Sequence, residues 1–297
     1  MSRKSLQKES SREGLGDTAG AHRVLINTRM TPGRLAFCFI LFCTATGSFV
    51  PCAEGLVLDW SSVTWVPGSL SNSYDIDPSS PGNDITITLS GNTNTLVVDP
   101  ASGIQTPAVT DSLQGGAPAG NNSLELATNM IPPNKLVVTV TFSAQYLRGV
   151  NGVSFTLFDI DVEQKQDVID NISARDINGI QRAATISNLG FSVSLTGAGF
   201  GQKLAGNADS PDAGASSGLG DATISFGNLA IKSFTFTFDS TPGGPKLQKI
   251  GISDITFSPV PEINPALATT ALCGLTGLVI SRRAKKRAAE LQGHRGC

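Results

Sequence analysis

Phe234-Thr235-Phe236-Thr237-Phe238 is the stretch that decides the fold class, because apolar and polar side chains alternate along its whole length. Successive side chains of a β-strand point to opposite faces of the sheet, so the three phenylalanines share one face and the two threonines share the other. Phenylalanine and threonine are also enriched in strands. The stretch therefore predicts a β-strand with one face in a hydrophobic core.

The same alternation recurs along the middle of the chain, and no long stretch carries the apolar stripe of a helix. Further strands are predicted over residues 85–89, 136–142, 153–158, 191–195 and 252–257. The connections are rich in Gly, Asn, Asp, Ser and Pro, which favour turns. This pattern predicts an all-β fold, an antiparallel β-sandwich that is jelly-roll-like. Residues 100–133 and 197–220 are expected to be long loops.

The charge of the chain is unevenly distributed. Residues 54–259 contain nine Lys and Arg against nineteen Asp and Glu, a formal charge of −10, whereas both flanks are basic. A stretch of about two hundred residues is long enough to bury the core of one domain. Because nucleic-acid binding depends on basic side chains that neutralise phosphates, the acidic domain predicts no nucleic-acid partner.

Cysteine and histidine are both missing from the predicted domain at 54–259. The five cysteines and two histidines all lie outside it: Cys38, Cys43, Cys52, Cys273, Cys297, His22 and His294. The domain therefore has no disulfide and no thiolate chemistry. A Ser-His-Asp site and a zinc site with histidine ligands are excluded there as well.

The N-terminal region predicts export. Residues 1–29 are polar and charged, and we expect them to be disordered or a non-native leader. Met30 opens a better start, with Arg34 followed by the apolar run 35–45 and then by small residues. This is the pattern of a cleavable signal peptide at 30–53, whose apolar part forms a signal helix. The mature protein is expected to begin near Glu54.

The C-terminal region, 260–297, predicts a membrane segment. It opens with the motif at 260–265, Val260-Pro261-Glu262-Ile263-Asn264-Pro265, and continues with an uncharged run over 266–280. That run is short for a transmembrane helix, which usually needs about 20 residues, although a flanking arginine extends its reach. A basic cluster follows and predicts a cytoplasmic stop-transfer signal: Arg282, Arg283, Lys285, Lys286 and Arg287. A permanent single-pass anchor would have the same helix and the same basic cluster.

This arrangement resembles the PEP-CTERM sorting signal of bacterial exosortase substrates, which combines a Pro-Glu motif, an apolar segment and an Arg-rich terminus. Pro261-Glu262 match the motif, while Ile263 stands where a second proline is usual, and Asn264-Pro265 match a Glu-x-Asn-Pro variant. The resemblance covers only the last forty or so residues. It implies an exosortase-like processing enzyme as partner, retention in the membrane, and then release to the cell surface or an extracellular polysaccharide matrix.

An acidic stretch follows the predicted strand at 153–158. Asp159 and Asp161 would project to the same side of a strand and converge on a hard cation, which makes calcium the possible cofactor. Glu163, Asp167, Asp170 and Asp176 continue the stretch. A solvated acidic loop is the alternative interpretation. The pair Asp75 and Asp77 allows the same two interpretations.

Two alternatives to a non-catalytic surface protein remain open. Trp60 and Trp65 would form a stacking platform if exposed, which predicts a carbohydrate-binding module with polysaccharide as partner. Packing in the core is the other interpretation of these two side chains. Paired carboxylates would allow a glycan hydrolase, the hydrolytic mechanism that needs neither His nor Cys. Because the acidic residues lie in loop-like sequence, no enzymatic activity is expected.

Overall fold

The computed structural model describes residues 55–79, 81–117, 120–162, 165–207, 217–239 and 241–262. The predicted leader, signal peptide, membrane segment and basic cluster lie outside these residues. Within them, the only helices are two short 3-10 turns, Thr93–Thr95 and Gly199–Gly201, and the remaining elements are strands. No helix in the described part of the chain is long and apolar enough to cross a membrane.

In the described residues, sixteen strands, all paired antiparallel, form one hydrogen-bonded sheet that is folded into two layers. The first layer has the strand order β2-β3-β6-β14-β8-β12-β11, and β9 pairs with the last part of β8 beyond β12. Its strands are β2 (Ser71–Tyr74), β3 (Ile85–Gly91), β6 (Lys135–Phe142), β8 (Val168–Asp176), β9 (Gln181–Ala183), β11 (Val193–Thr196), β12 (Lys203–Gly206) and β14 (Ile231–Asp239).

The second layer is built around β7, which pairs with β13 on one side and with β15 and β16 on the other. β5 and β4 extend it beyond β15, β1 pairs with β16, and β10 pairs with β13. Its strands are β1 (Leu56–Leu58), β4 (Ala108–Thr110), β5 (Ser123–Thr128), β7 (Val150–Phe158), β10 (Thr185–Ser187), β13 (Ala222–Gly227), β15 (Gln248–Ile252) and β16 (Ile255–Pro259).

The chain crosses repeatedly between the layers, since β5 to β8 and β12 to β15 alternate from one layer to the other. In the described part, a single residue pair, Ile231 with Val150, links β14 directly to β7. Elsewhere side-chain packing joins the layers. The predicted antiparallel all-β class is thus confirmed.

Aromatic side chains fill the space between the layers. The Phe155 ring of β7 stacks on the Phe234 ring of β14 at a centroid distance of 4.8 Å. Phe142 of β6 packs against Phe257 of β16 at 4.9 Å. Phe234, Phe236 and Phe238 are all buried, as the alternating sequence predicted. Burying one such side chain stabilises the fold by about 1.5–3 kcal/mol, so these contacts are a main source of stability.

Three sequence-based assignments of secondary structure are wrong. The expected loop at 100–133 contains β4 and β5, and the expected loop at 197–220 contains β12. The strand predicted over 252–257 is two strands, because Ser253 and Asp254 leave the ladder. Ser253 N bonds the carbonyl of Thr156, and the Asp254 carboxylate accepts the backbone N–H of Trp60 instead.

Candidate functional site at the end of the domain where both termini leave

Both ends of the described chain lie at one end of the sandwich. β1 runs antiparallel to β16, with Leu56 opposite Phe257. Gly55 is adjacent to Ser258, since a Cβ built on this glycine would lie 3.6 Å from the serine Oγ. The chain therefore enters and leaves the domain side by side, next to residue 260, where the predicted sorting motif starts.

The predicted sorting motif at 260–265 begins where β16 ends, without an intervening linker. Val260 N donates to the carbonyl of Gly149 at 3.0 Å. Arg148 Nη1 donates to the carbonyl of Pro261, also at 3.0 Å. These bonds hold the first two motif residues, half-buried, against the turn that precedes β7, and the exposed Glu262 follows them. Ile263, Asn264 and Pro265 lie outside the described residues.

A cleft of about 650 Å³ opens at the same end, between Val57, Pro78 and Pro259. Its rim includes Asp77, whose carboxylate accepts the backbone N–H of Ser79 at 2.9 Å. The loop that contains Asp77 is fixed by Asp84, a buried residue that was not predicted from the sequence. Its Oδ2 accepts the backbone N–H groups of Ile76 and Asp77 at 2.6 Å each. The only signal in the sequence was an aspartate immediately before a strand.

The acidic stretch after β7 is a loop, but it is not solvated throughout, as the loop interpretation expected. Asp161 and Asp167 are buried, and β8 begins directly after Asp167. The Asp161 backbone N–H donates to Asp167 Oδ2 at 3.3 Å, and Gln248 Nε2 donates to its Oδ1 at 3.4 Å. Burial raises the pKa of Asp167 well above its usual range, and the charges of Asp161 and Asp159 raise it further.

Calcium at Asp159 and Asp161 stays a prediction. Asp159 adopts a left-handed backbone conformation (φ of 64°) where the chain turns out of β7, so the two residues do not continue the strand. In the described ranges, no group of three or more His, Cys, Asp or Glu side chains is arranged to hold a metal ion. Asp176, further along, makes a structural ion pair, with its Oδ2 2.7 Å from Arg182 Nη2.

The tryptophan platform is wrong, because both side chains belong to the core. Trp60 is 0% exposed and Trp65 is 3% exposed. Their rings meet edge to face at 6.3 Å, and Trp60 meets Tyr74 in the same way at 6.1 Å. The indole N–H of Trp60 donates to the carbonyl of Ser253 at 2.9 Å. The chain turns after β1, so the odd spacing of the two residues does not place them on opposite faces.

Among the described residues, the most exposed aromatic side chain is instead Phe191, at 72% exposure, followed by Phe200 at 51%. Phe191 lies on a turn before β11, although the sequence predicted that the strand already includes it. Leu189 and Leu219 are also exposed, and Ser192 N bonds the carbonyl of Leu219 at 2.9 Å, which brings the two segments together. We call Leu189, Phe191 and Leu219 the apolar surface patch.

Asp221 lies below this patch, with a side-chain oxygen, Oδ1, that is buried and accepts no hydrogen bond from the described residues. Burial raises its pKa to about 7. A carboxyl whose pKa is higher in the folded state than in the unfolded state stabilises the fold most at low pH. That stability is lost as the pH rises from about 4, the unfolded value, through about 7.

We therefore expect Asp221→Asn to raise the free energy of unfolding above pH 7 by about 2 kcal/mol, allowing for partial solvent access. Urea unfolding of both proteins at several pH values measures this difference. The advantage of the variant should disappear as the pH falls towards 4. An advantage that stays constant with pH would show that Asp221 does not titrate in this range.

No protein-family model matches the chain, and no characterised protein matches it in sequence. Among solved structures, it is similar to a carbohydrate-binding module that recognises mannan, with a TM-score of 0.32 and 10% identity over 70% of this chain and 99% of that one. It is also similar to a family 11 carbohydrate-binding module from Clostridium thermocellum in complex with a mixed-linked tetrasaccharide. That match has a TM-score of 0.28 and 10% identity over 71% of this chain and 99% of that one. Similarity at this level carries no functional argument.

Proposed function

We propose that this chain is an exported, non-catalytic β-sandwich protein, anchored in the membrane by its C-terminal segment and then processed by an exosortase-like enzyme. It would afterwards act at the cell surface or in an extracellular polysaccharide matrix. The observation that supports this most directly is the departure of both termini from one end of the sandwich, with Gly55 adjacent to Ser258.

The position of the termini suits a domain that is tethered on one side. The apolar runs 35–45 and 266–280 must both reach the same bilayer during export. One precedes β1 and the other follows β16, and these two strands are neighbours. Glu262 is exposed three residues after β16 ends at Pro259. A membrane-embedded enzyme can therefore reach the backbone after Pro261 without unfolding the last strand.

Two clefts of the described residues lack the carboxyl pair that a glycosidase uses. A glycosidase places two carboxyl groups on either side of the bond that it cleaves, within reach of the substrate. The cleft of about 650 Å³ contains one carboxylate, Asp77, and a second cleft, of about 420 Å³ beside Lys165 and Lys246, contains none. The deeply buried carboxylates Asp99 and Glu125 line neither of them.

Cell fractionation and mass spectrometry of the native protein test this proposal. We expect the mature N-terminus near Glu54 and, on the surface or matrix form, a C-terminus that lacks the cluster 282–287. An N-terminus at Met1 or Met30 would contradict export through a cleaved signal. A surface form that retains Arg282 to Arg287 would contradict processing and leave a permanent anchor.

A carbohydrate-binding role is the second candidate, and the exposed apolar surface patch is the observation that favours it. An exposed aromatic ring can stack on a sugar ring, and Phe191 is the most exposed large apolar side chain of the described part. If the chain binds polysaccharide there, Phe191→Ala should reduce its retention on insoluble polysaccharide at least tenfold. Leu229→Ala, at an exposed leucine, is the matched control. Equal retention of the wild type and both variants would show that Phe191 does not contribute to polysaccharide binding.

A further inference from the structure

β5 is covered on both faces, which is unusual for a strand near the edge of a layer. Its six residues are all buried, and Leu124 and Leu126 face the core between the layers. Ser123, Glu125 and Ala127 alternate with them and point away from that core. The segment before and after β4 covers this outer face, since Thr106 Oγ1 donates to the carbonyl of Ala127 at 2.9 Å.

Three ionisable residues meet under this cover. Glu125 and Asp99 are both 0% exposed. β15 pairs with β5 so that Gly251 lies opposite Glu125 and Lys249 lies opposite Ala127, which places Lys249 and Glu125 diagonally on one face. Lys249 Nζ lies 3.7 Å from Asp99 Oδ1, and the lysine side chain is only 16% exposed.

The hydrogen bonds in this cluster leave one oxygen of each carboxyl unused. Glu125 Oε2 accepts the Thr110 hydroxyl at 2.7 Å and also the Ser112 hydroxyl. Asp99 Oδ2 accepts the backbone N–H of Ser102 at 2.6 Å. Glu125 Oε1 and Asp99 Oδ1 are buried and accept no hydrogen bond from any described residue. Leaving such oxygens unsatisfied in a buried ion cluster is costly, so the arrangement calls for an explanation.

The geometry points to an intramolecular amide bond between Lys249 Nζ and Asp99 Cγ, formed within the folded domain with Glu125 as the proton donor and acceptor. A covalent bond removes the two charges and consumes one of the unused oxygens. It would cross-link the covering segment to β15 in a domain whose sequence contains no cysteine. The cross-link encloses most of the domain, and closing a long loop restricts the unfolded chain more than closing a short one.

The reaction balances without an added reagent. The lysine ammonium and the aspartate carboxylate, R–NH₃⁺ and R′–COO⁻, give the amide R–NH–CO–R′ and one water molecule. The ammonium transfers a proton within the cluster, and the neutral amine attacks Asp99 Cγ to form the C–N bond. The C–O bond to one carboxyl oxygen then breaks, and that oxygen leaves as water. No oxidant, reductant or nucleotide is required.

Glu125 is suited to move these protons. Burial raises the pKa of its carboxyl above the usual range, and the neighbouring charge of Asp99 also raises it. A protonated carboxyl protonates the leaving oxygen, and the resulting carboxylate takes a proton from the nitrogen. Little room for water is left opposite Glu125, since a Cβ built at Gly251 would approach Ser123 Oγ to 2.9 Å, Leu113 Cβ to 3.0 Å and the Phe158 ring to 3.3 Å.

Mass spectrometry of the purified full chain and its Lys249→Arg variant tests the bond. The mass difference between the two should equal that of the substitution plus one water molecule, whatever processing both have undergone. Digestion of the wild type should give a branched peptide that joins the segments containing Asp99 and Lys249, with no tryptic cleavage after Lys249. A wild type that retains the water and yields only linear peptides would overturn the proposal and leave an ion pair.

Two variants test the chemistry. Asp99→Asn should form the same amide by losing ammonia, so its final mass should equal that of the cross-linked wild type. Glu125→Gln keeps both reacting groups, and its cross-linked fraction after folding should be at least tenfold lower and rise slowly on incubation. Full cross-linking in a folded Glu125→Gln variant would show that Glu125 only packs and that proton transfer does not depend on it.

An exposed ion pair in the same chain is the control. Lys135 Nζ lies 2.7 Å from Asp239 Oδ2, closer than the buried pair, but the lysine side chain is 43% exposed. Because solvent reaches this pair, no branched peptide should join these two segments. A branched peptide there would show that the cross-links arise from non-specific chemistry in the sample rather than from the Asp99–Glu125–Lys249 cluster.

Discussion

Replacing Trp60 with alanine is expected to lower the free energy of unfolding by about 3–5 kcal/mol, the usual cost of removing a buried aromatic side chain. The indole is fully buried and contacts the rings of Trp65 and Tyr74. Its N–H donates to the carbonyl of Ser253, in the break between β15 and β16, and the variant loses that bond. The substitution therefore opens a cavity and leaves a carbonyl without its donor.

Urea unfolding followed by tryptophan fluorescence and circular dichroism measures this loss. Phe191→Ala is the matched control, because an exposed side chain usually changes stability by less than about 0.5 kcal/mol. If Trp60→Ala instead keeps the stability of the wild type and loses only affinity for polysaccharide, Trp60 is not a core residue in solution. The packing around Ser253 and Asp254 would then be wrong as well.

Replacing Glu262 with alanine is expected to block removal of the C-terminal tail, so that uncleaved protein accumulates in the membrane fraction. Glu262 is exposed beyond the last strand, so the substitution leaves the domain and membrane insertion intact. Pro261, by contrast, is held by Arg148 through its carbonyl. The physical reason for the large effect is that processing depends on recognition of the motif, whereas anchoring depends only on the apolar run and the basic cluster.

Immunoblots of membrane and surface fractions, with epitope tags before residue 260 and after residue 287, measure this effect. Asp111→Ala, at an exposed acidic residue within the domain, is the control and should be processed as the wild type is. A permanent anchor predicts that the wild type and the Glu262→Ala variant have the same size in the same fraction. That result would exclude the sorting function and would leave the proposed cross-link untouched, since the amide lies within the domain.

The proposed amide bond and the proposed removal of the tail can be tested independently in the same molecule. The amide requires only that the domain folds, whereas loss of the tail requires a second protein. A cross-linked chain that retains its tail would therefore contradict the sorting function alone. A processed chain without the cross-link would contradict the amide alone.

The sequence by itself determined the features that depend on local pattern. Alternation from Phe234 to Phe238 predicted a buried strand face, because the two-residue period of a strand is encoded in neighbouring residues. The absence of cysteine and histidine from 54–259 excluded whole classes of chemistry, and this exclusion needs no coordinates. The sorting tail was likewise inferred from a contiguous motif, which the described residues reach only as far as Glu262.

Only the tertiary structure decided which polar and aromatic residues are buried. Trp60 was open to two interpretations because its partners, Ser253 and Asp254, lie almost two hundred positions away. β5 does alternate, with Leu124 and Leu126 on one face, but nothing local shows that the other face, with Glu125, is buried as well. Asp99, Glu125 and Lys249 come together through pairing of β15 with β5 and through the cover over β5. Contacts between residues so far apart in sequence follow from the strand order of the whole layer, which no local pattern encodes.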